Sequence, residues 1–186
     1  MRSLLMGALI CYSEYMKNNL ILVGMPGSGK STCGVLAAKA LCKSFIDTDL
    51  LIQAEEGTSL QTIINSKGND YFAKVEEKVL SNLQAENSII STGGSAIYYE
   101  KALEHLKEDG MIVYLRVSYN QMMKRIKNMR SRGILLKNGQ TIKDMFMARE
   151  CLYELNADCV IDCRGKSIED VVECITAVWM ENFGAV

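Results

Sequence analysis

Gly24-Met25-Pro26-Gly27-Ser28-Gly29-Lys30-Ser31 is the stretch whose reading decides the fold. Its glycines allow the main chain to curl until successive N–H groups point inward at one place, where they attract anionic oxygens. Lys30 adds a compact cation and Ser31 a hydroxyl. The spacing G-x-x-x-x-G-K-[ST] arises by chance in on the order of 1% of chains this long. Here it also has the context it needs. Leu20 to Gly24 (LILVG) is a short apolar run ending in glycine, a buried-strand pattern. Ser31 to Cys42 then runs without a breaker, with Val35, Leu36, Ala38 and Leu41 at helical spacing. A strand that turns through glycines into a helix presents the helix's positive end to a phosphate. In such a loop the lysine meets the β- and γ-phosphates and the serine hydroxyl can ligate Mg²⁺. A glycine-rich turn that holds nothing would leave the lysine unexplained.

Outward from this loop the pattern repeats. Short apolar runs at Ser44–Asp47, Ser88–Thr92, Met111–Arg116 and Cys159–Asp162 read as strands. Helical periodicity covers 49–55, 59–66, 70–87, 100–108, 118–129, 141–156 and 167–183, and the polar, glycine-punctuated segment 130–139 reads as a loop. Strands alternating with helices predict an α/β fold with a parallel sheet covered on both faces. Length agrees: 186 residues give one domain, read as 17–186, behind an N-terminal extension at 1–16. The apolar run in that extension, Leu4 to Cys11, is far shorter than the roughly 20 residues that span a bilayer.

Composition excludes several classes. Hydrophobic residues at 48% and charged residues at 23% are ordinary globular values. With 21 basic and 22 acidic residues there is no global field for a nucleic-acid backbone, and aromatics at 7% are sparse for base stacking. The basic set Lys124, Arg125, Lys127, Arg130 and Arg132 is better explained as a phosphate-facing helix and loop. Seven cysteines without a C-x-x-C pair, and a single histidine, argue against a zinc site and a disulfide framework. They read instead as buried small hydrophobes in a reducing cytoplasm.

A phosphate loop alone does not separate a small-molecule kinase from a GTPase or a motor. No N-K-x-D tetrapeptide is present, and the third strand ends in Ser91-Thr92-Gly93-Gly94 without an acid. The acids follow the second strand: Phe45-Ile46-Asp47-Thr48-Asp49. The C-terminal end of a parallel strand is where such sheets bind ligands. Positions i and i+2 of an extended segment share one side, so both carboxylates should face the loop, one toward magnesium and one toward a substrate hydroxyl. The alternative is a helix cap at one of them.

These blocks, with Arg132-Gly133-Ile134-Leu135-Leu136 and the series Arg149, Tyr153, Ala157, resemble the shikimate kinase family from Leu20 to about Val172. The resemblance implies a three-layer P-loop fold, a five-stranded parallel sheet of order 2-3-1-4-5, and a mobile lid before the Arg149 helix. It implies ATP-dependent phosphorylation of the shikimate 3-hydroxyl in aromatic amino-acid synthesis, with Mg²⁺. Carried over by residue, Lys30, Asp49 and Arg132 are catalytic. Gly27, Ser28, Gly29, Lys30, Ser31 and Thr32 hold phosphates, and Arg125 and Arg164 stand near the base. Asp49, Gly93, Gly94 and Arg149 bind the acceptor, and Ser31 and Asp47 lie at the metal. The expected partners are ATP and a small hydroxylated acid; nucleic acid and membrane are not expected, and the chain is expected to be a cytoplasmic monomer.

Two departures affect the acceptor side. The family's G-E-x-x-F-R-x-x-E is read here as Gly68 to Glu76, with Asn69 and Ala73 in place of the first glutamate and the arginine. Lys74 is adjacent, but one residue is a turn of about 100° on a helix. Ser95 ends what would be a glycine triplet. A different small hydroxylated acid or amino acid is therefore an alternative acceptor, and a non-catalytic nucleotide-binding module is the alternative to an enzyme.

Overall fold

The computed structural model describes residues 18–127 and 139–184. Five strands, β1 (Asn19–Val23), β2 (Ser44–Asp47), β3 (Ser88–Ser91), β4 (Gly110–Arg116) and β5 (Cys159–Asp162), form one parallel sheet of order β2-β3-β1-β4-β5. This is the order that the family resemblance implies. The helices are α1 (Lys30–Leu41), α2 (Thr48–Glu56), α3 (Leu60–Lys67), α4 (Asn69–Ser81), α5 (Glu100–Glu108), α6 (Tyr119–Lys127), α7 (Ile142–Asn156) and α8 (Ile168–Phe183).

Strand β1 lies at the centre, and all five of its residues are buried. A strand covered on both faces reads as continuous apolar sequence rather than alternation, which is why LILV is so legible. Leu20 and Ile89 are register partners, as are Ile89 and Phe45, so Leu20, Leu22, Ile89 and Phe45 share one face. Helix α1 lies close on it: a Cβ added at Gly34 would stand 2.9 Å from Phe45 and 3.0 Å from Leu22. Ile90 points the other way, into a cleft shared with His105 and Leu106 of α5. A second, smaller apolar cluster, Ile52, Leu60, Ile63, Phe72 and Val75, joins α2, α3 and α4. Trp179 belongs to the main core, with Lys43 over its ring.

Two expectations change. The helix expected over 70–87 ends at Ser81. The chain must turn there to enter β3, and Asn87 takes a left-handed conformation, φ 52°. Asn19 fixes the turn from the neighbouring strand, donating from Nδ2 to the Ala85 carbonyl (2.6 Å) and accepting from the Ser88 N–H (3.0 Å). The cysteines are not uniformly buried: Cys33 and Cys163 are, whereas Cys42 and Cys151 are exposed. Cys42 sits in the turn that ends α1, and Cys151 lies on the solvent-facing side of α7. His105 is half-buried, with Nε2 2.9 Å from the Leu83 carbonyl oxygen. The extension at 1–16 and part of the lid lie outside the described residues.

Asn19→Ala removes both ends of the amide clamp and leaves a buried N–H and C=O unsatisfied. A loss of about 1–3 kcal/mol is expected. The check is the urea midpoint, which should fall with an unchanged m-value.

Candidate active site

The phosphate loop is wound by its glycines. Gly24 has φ 148°, and a Cβ there would meet the Leu115 carbonyl oxygen at 2.8 Å. Gly29, φ 105°, is the N-cap of α1. The first turn of α1 carries no acid, so its positive end is left for an anion. Lys30 is 8% exposed, and its Nζ donates to the carbonyls of Gly24 (2.7 Å) and Met25 (3.1 Å). The lysine thereby ties the loop into a ring around its own ammonium. Ser31 Oγ stands 3.3 Å from Ser91 Oγ, and Ser91 is the register partner of Asp47.

A cleft of about 350 Å³ opens on the outer side of this loop. Gly27, Ser28, Gly29, Ser31 and Thr32 line one wall; Cys163, Lys166, Ile168 and Val171 line another. Arg125 closes it, donating from Nη1 to the carbonyls of Gly27 (2.9 Å) and Ser28 (3.3 Å). A polar rim at the loop and an apolar far wall suit a nucleotide, phosphates inward and base outward.

On the inner side, Lys30, Ser31, Asp49, Glu76, Gly93 and Gly94 line a second cavity, about 40 Å³ in this conformation. Asp49 comes from the start of α2, Glu76 from α4 and the glycines from the end of β3, so strand ends and a helix start converge as expected for a parallel sheet. Gly93 fits because it has no side chain: an added Cβ would lie 2.1 Å from Glu76 Oε1 and 3.1 Å from Asp49 Oδ1. Gly94 is held between Pro26 and Arg149, its carbonyl accepting from the Tyr153 hydroxyl at 2.6 Å. Arg149 and Tyr153 are four residues apart on α7 and so share one face of it. Both are fully buried, and the Tyr153 ring stacks on Tyr114.

Glu76 is 1% exposed. Its Oε2 accepts from Ser95 Oγ (2.5 Å) and the Tyr99 hydroxyl (2.8 Å), while Oε1 has no hydrogen-bond partner among the described residues. Burial pushes its pKa from 4.5 to about 7; the Ser95 and Tyr99 bonds and Arg149 oppose that rise, and Asp49 adds to it.

The candidate residues divide as follows. Lys30 and Ser31 are shared by both cavities or stand between them, and Asp49, Gly93 and Gly94 meet at the inner one. Asp47 and Asp49 do not lie on an extended segment, because the helix begins at Thr48. Asp47 is its N-cap, with Oδ1 accepting from the Asp49 N–H at 3.0 Å. Of the pair, Asp49 lines the inner cavity and Asp47 caps the helix. Arg164 is turned aside into an ion pair with Asp162, and its neighbours Cys163 and Lys166 line the nucleotide cleft instead. Arg149 lies behind Gly94, its Nη1 3.1 Å from where a Gly94 Cβ would be. Lys74 is exposed, so it has not moved into the place of Ala73. Arg132 lies outside the described residues. The clamp of Ser95 and Tyr99 on Glu76 was not read from the sequence; a buried glutamate in the pattern E-x₁₈-S-x₃-Y has no local signature.

A strand, a phosphate loop and a helix, with an adjoining carboxylate cavity, define a P-loop phosphotransferase of small molecules. A model of the shikimate kinase family matches residues 26–179, and the chain belongs to that family. It is 41% identical over 140 residues to a shikimate kinase of Clostridium botulinum, covering 73% of this chain and 82% of that one. It is 36% identical to a shikimate kinase of Persephonella marina, over 83% of this chain and 94% of that one. Among solved structures it is similar to a shikimate kinase from Acinetobacter baumannii in complex with shikimate (TM-score 0.81, 28% identity, 92% of this chain and 97% of that one). The chain is accordingly an ATP-dependent phosphotransferase with an alcohol acceptor.

Glu76 has a folded-state pKa above its unfolded one. The stability it contributes is complete below pH 4.5 and is lost as pH rises through about 7. That difference corresponds to about 3 kcal/mol. Glu76→Gln keeps an acceptor for Ser95 and Tyr99 but does not titrate. Between roughly pH 5 and 8 the wild type should therefore lose stability relative to this variant. Urea midpoints measured across that range check it; parallel curves would remove burial as the cause.

Proposed function

We propose that this chain transfers the γ-phosphate of ATP to the 3-hydroxyl of shikimate, with Mg²⁺, as a cytoplasmic monomer. The observation that carries this reading is the second cavity, where Lys30 and Ser31 of the phosphate loop face Asp49, Gly93 and Gly94. A phosphate held by the loop and a hydroxyl held by Asp49 would share one small space.

The residues then take definite tasks. Asp49 orients the acceptor hydroxyl and receives its proton as the oxygen bonds to the γ-phosphorus. The bond from that phosphorus to the bridging oxygen breaks, and ADP leaves. Lys30 and the loop N–H groups neutralise charge on the transferring group without reorganising. Arg132 is proposed to add a second cation from the lid. Arg125 is proposed to lie along the base side of the cleft, and Arg164 would have to leave its pair with Asp162 to reach it. Arg149 and the Gly93–Gly94 main chain hold the acceptor's carboxylate side. The donor set suits magnesium: Ser31 Oγ and the Asp47 carboxylate are hard oxygens on adjoining positions, and Mg²⁺ completes its shell with water and phosphate. Bound there, the ion would supply charge stabilisation at the phosphates. Six described cysteines without a disulfide suit a reducing compartment.

A second reading, a different small hydroxylated acid, is favoured by Ala73 and by Ser95. Turnover of ATP against shikimate and a panel of hydroxy acids decides between them. Lys30→Ala should lower kcat by about a hundred- to a thousand-fold, as for other preorganised charge stabilisers. Retained kcat would remove Lys30 from the transfer step. Asp49→Asn should abolish acceptor turnover and leave ATP binding by calorimetry unchanged. Loss of ATP affinity with an unchanged acceptor KM would assign Asp49 to the metal instead.

A further inference from the structure

Glu76 is an odd residue to find beside Asp49. It is buried, ionisable and fixed by one oxygen only. Both donors act on Oε2, whereas Oε1 is left against Gly93 in the wall of the inner cavity. A buried acceptor atom without a partner costs stability, and such groups persist where something outside the resting structure satisfies them. Asp49 Oδ1 approaches the same point of the Gly93 main chain. Two carboxyl groups therefore converge on one spot from two helices.

We propose that Ser95 and Tyr99 are positioning residues for acceptor recognition. They pin Glu76 through Oε2 and so turn Oε1 onto a hydroxyl of the acceptor other than the one phosphorylated. The inference rests on the proposed reaction and deepens it. The acceptor class is a polyhydroxylated acid, with one hydroxyl at Asp49 and another at Glu76. Specificity built this way is strong, because an acceptor without the second hydroxyl leaves a buried carboxylate unpaired. It also explains why Ser95 stands after the double glycine. With alanine at position 73, the carboxylate of Glu76 needs partners from elsewhere, and Ser95 and Tyr99 supply them from the segment that follows β3.

The groups around Glu76 set its charge. Asp49 on α2 opposes ionisation; Ser95, Tyr99 and Arg149 on α7 favour it. Lys30 also lines the cavity, with the hydroxyls of Ser31 and Thr92, and the other side chains there, Pro26, Leu60 and Phe72, are apolar. The ionised carboxylate is the stronger hydrogen-bond acceptor.

The test is steady-state kinetics on the full chain with shikimate and with derivatives that each lack one non-reacting hydroxyl. Wild type, Ser95→Ala, Tyr99→Phe and Glu76→Gln are compared. With shikimate, Ser95→Ala and Tyr99→Phe should raise the acceptor KM by about ten-fold, leaving the KM for ATP unchanged and kcat nearly so. For one derivative, the wild-type KM should already be raised and the variants should add nothing further. The pH midpoint of kcat/KM should also move upward in Ser95→Ala and Tyr99→Phe, since each loses a bond that favours the anion, and vanish in Glu76→Gln. Equal increases in KM for every derivative, or a change only in thermal stability, would make the clamp merely structural and overturn the inference while leaving the reaction intact. If wild type ignores shikimate but phosphorylates another polyhydroxylated acid, the choice of acceptor fails, and the same comparison with derivatives of that acid decides the clamp. A wild type that phosphorylates no hydroxy acid overturns both.

Discussion

At Gly93 the main chain passes so near Glu76 and Asp49 that no side chain could stand there. Three segments far apart in sequence are thereby held to one another: the end of β3, the first turn of α2 and the middle of α4. Asp49 is fixed relative to the phosphate loop because β2 and β1 both flank β3, with register partners Asp47–Ser91 and Leu22–Ser91. The Gly93 N–H adds a bond to the Thr48 hydroxyl at 3.3 Å. Any shift of β3 would therefore move Gly93 together with Asp47 and Asp49.

The two halves of the site are stabilised differently. The phosphate loop is self-contained: its lysine bonds its own carbonyls and its helix starts on its own glycine. The acceptor half is assembled from distant parts by polar contacts in a buried setting, where each missing partner is costly. Tyr153 on α7 holds Gly94, and Ser95 and Tyr99 hold Glu76. Such networks define one geometry closely when every member is satisfied. Here Glu76 Oε1, packed against Gly93, is left without a hydrogen-bond partner among the described residues.

What could be read from the chain alone follows the range of the interactions. The phosphate loop is local, eight residues whose spacing carries its own physics. The strands were legible because a fully buried parallel strand is apolar throughout. Sheet order came from family resemblance, since nothing in the runs themselves says which strands adjoin. The end of α4 at Ser81 was not legible: helical periodicity continues through Leu83, and only the need to enter β3 beside Asn19 stops it. The part of Asp47 was open between a helix cap and a site carboxylate, and the structure shows the cap. The partners of Glu76 lie 19 and 23 residues away in sequence and are joined only by folding.

The small apolar cluster of Ile52, Leu60, Ile63, Phe72 and Val75 is separate from the core of the sheet. Two of its members, Leu60 and Phe72, also line the inner cavity. Substitutions that reshape this unit are thus insulated from the packing that supports the phosphate loop. A lineage can drift in what it phosphorylates while its means of handling ATP stays untouched. Ala73 lies on α4 beside Phe72 of this cluster, so a change of side chain there falls on the far side of that boundary from the phosphate loop.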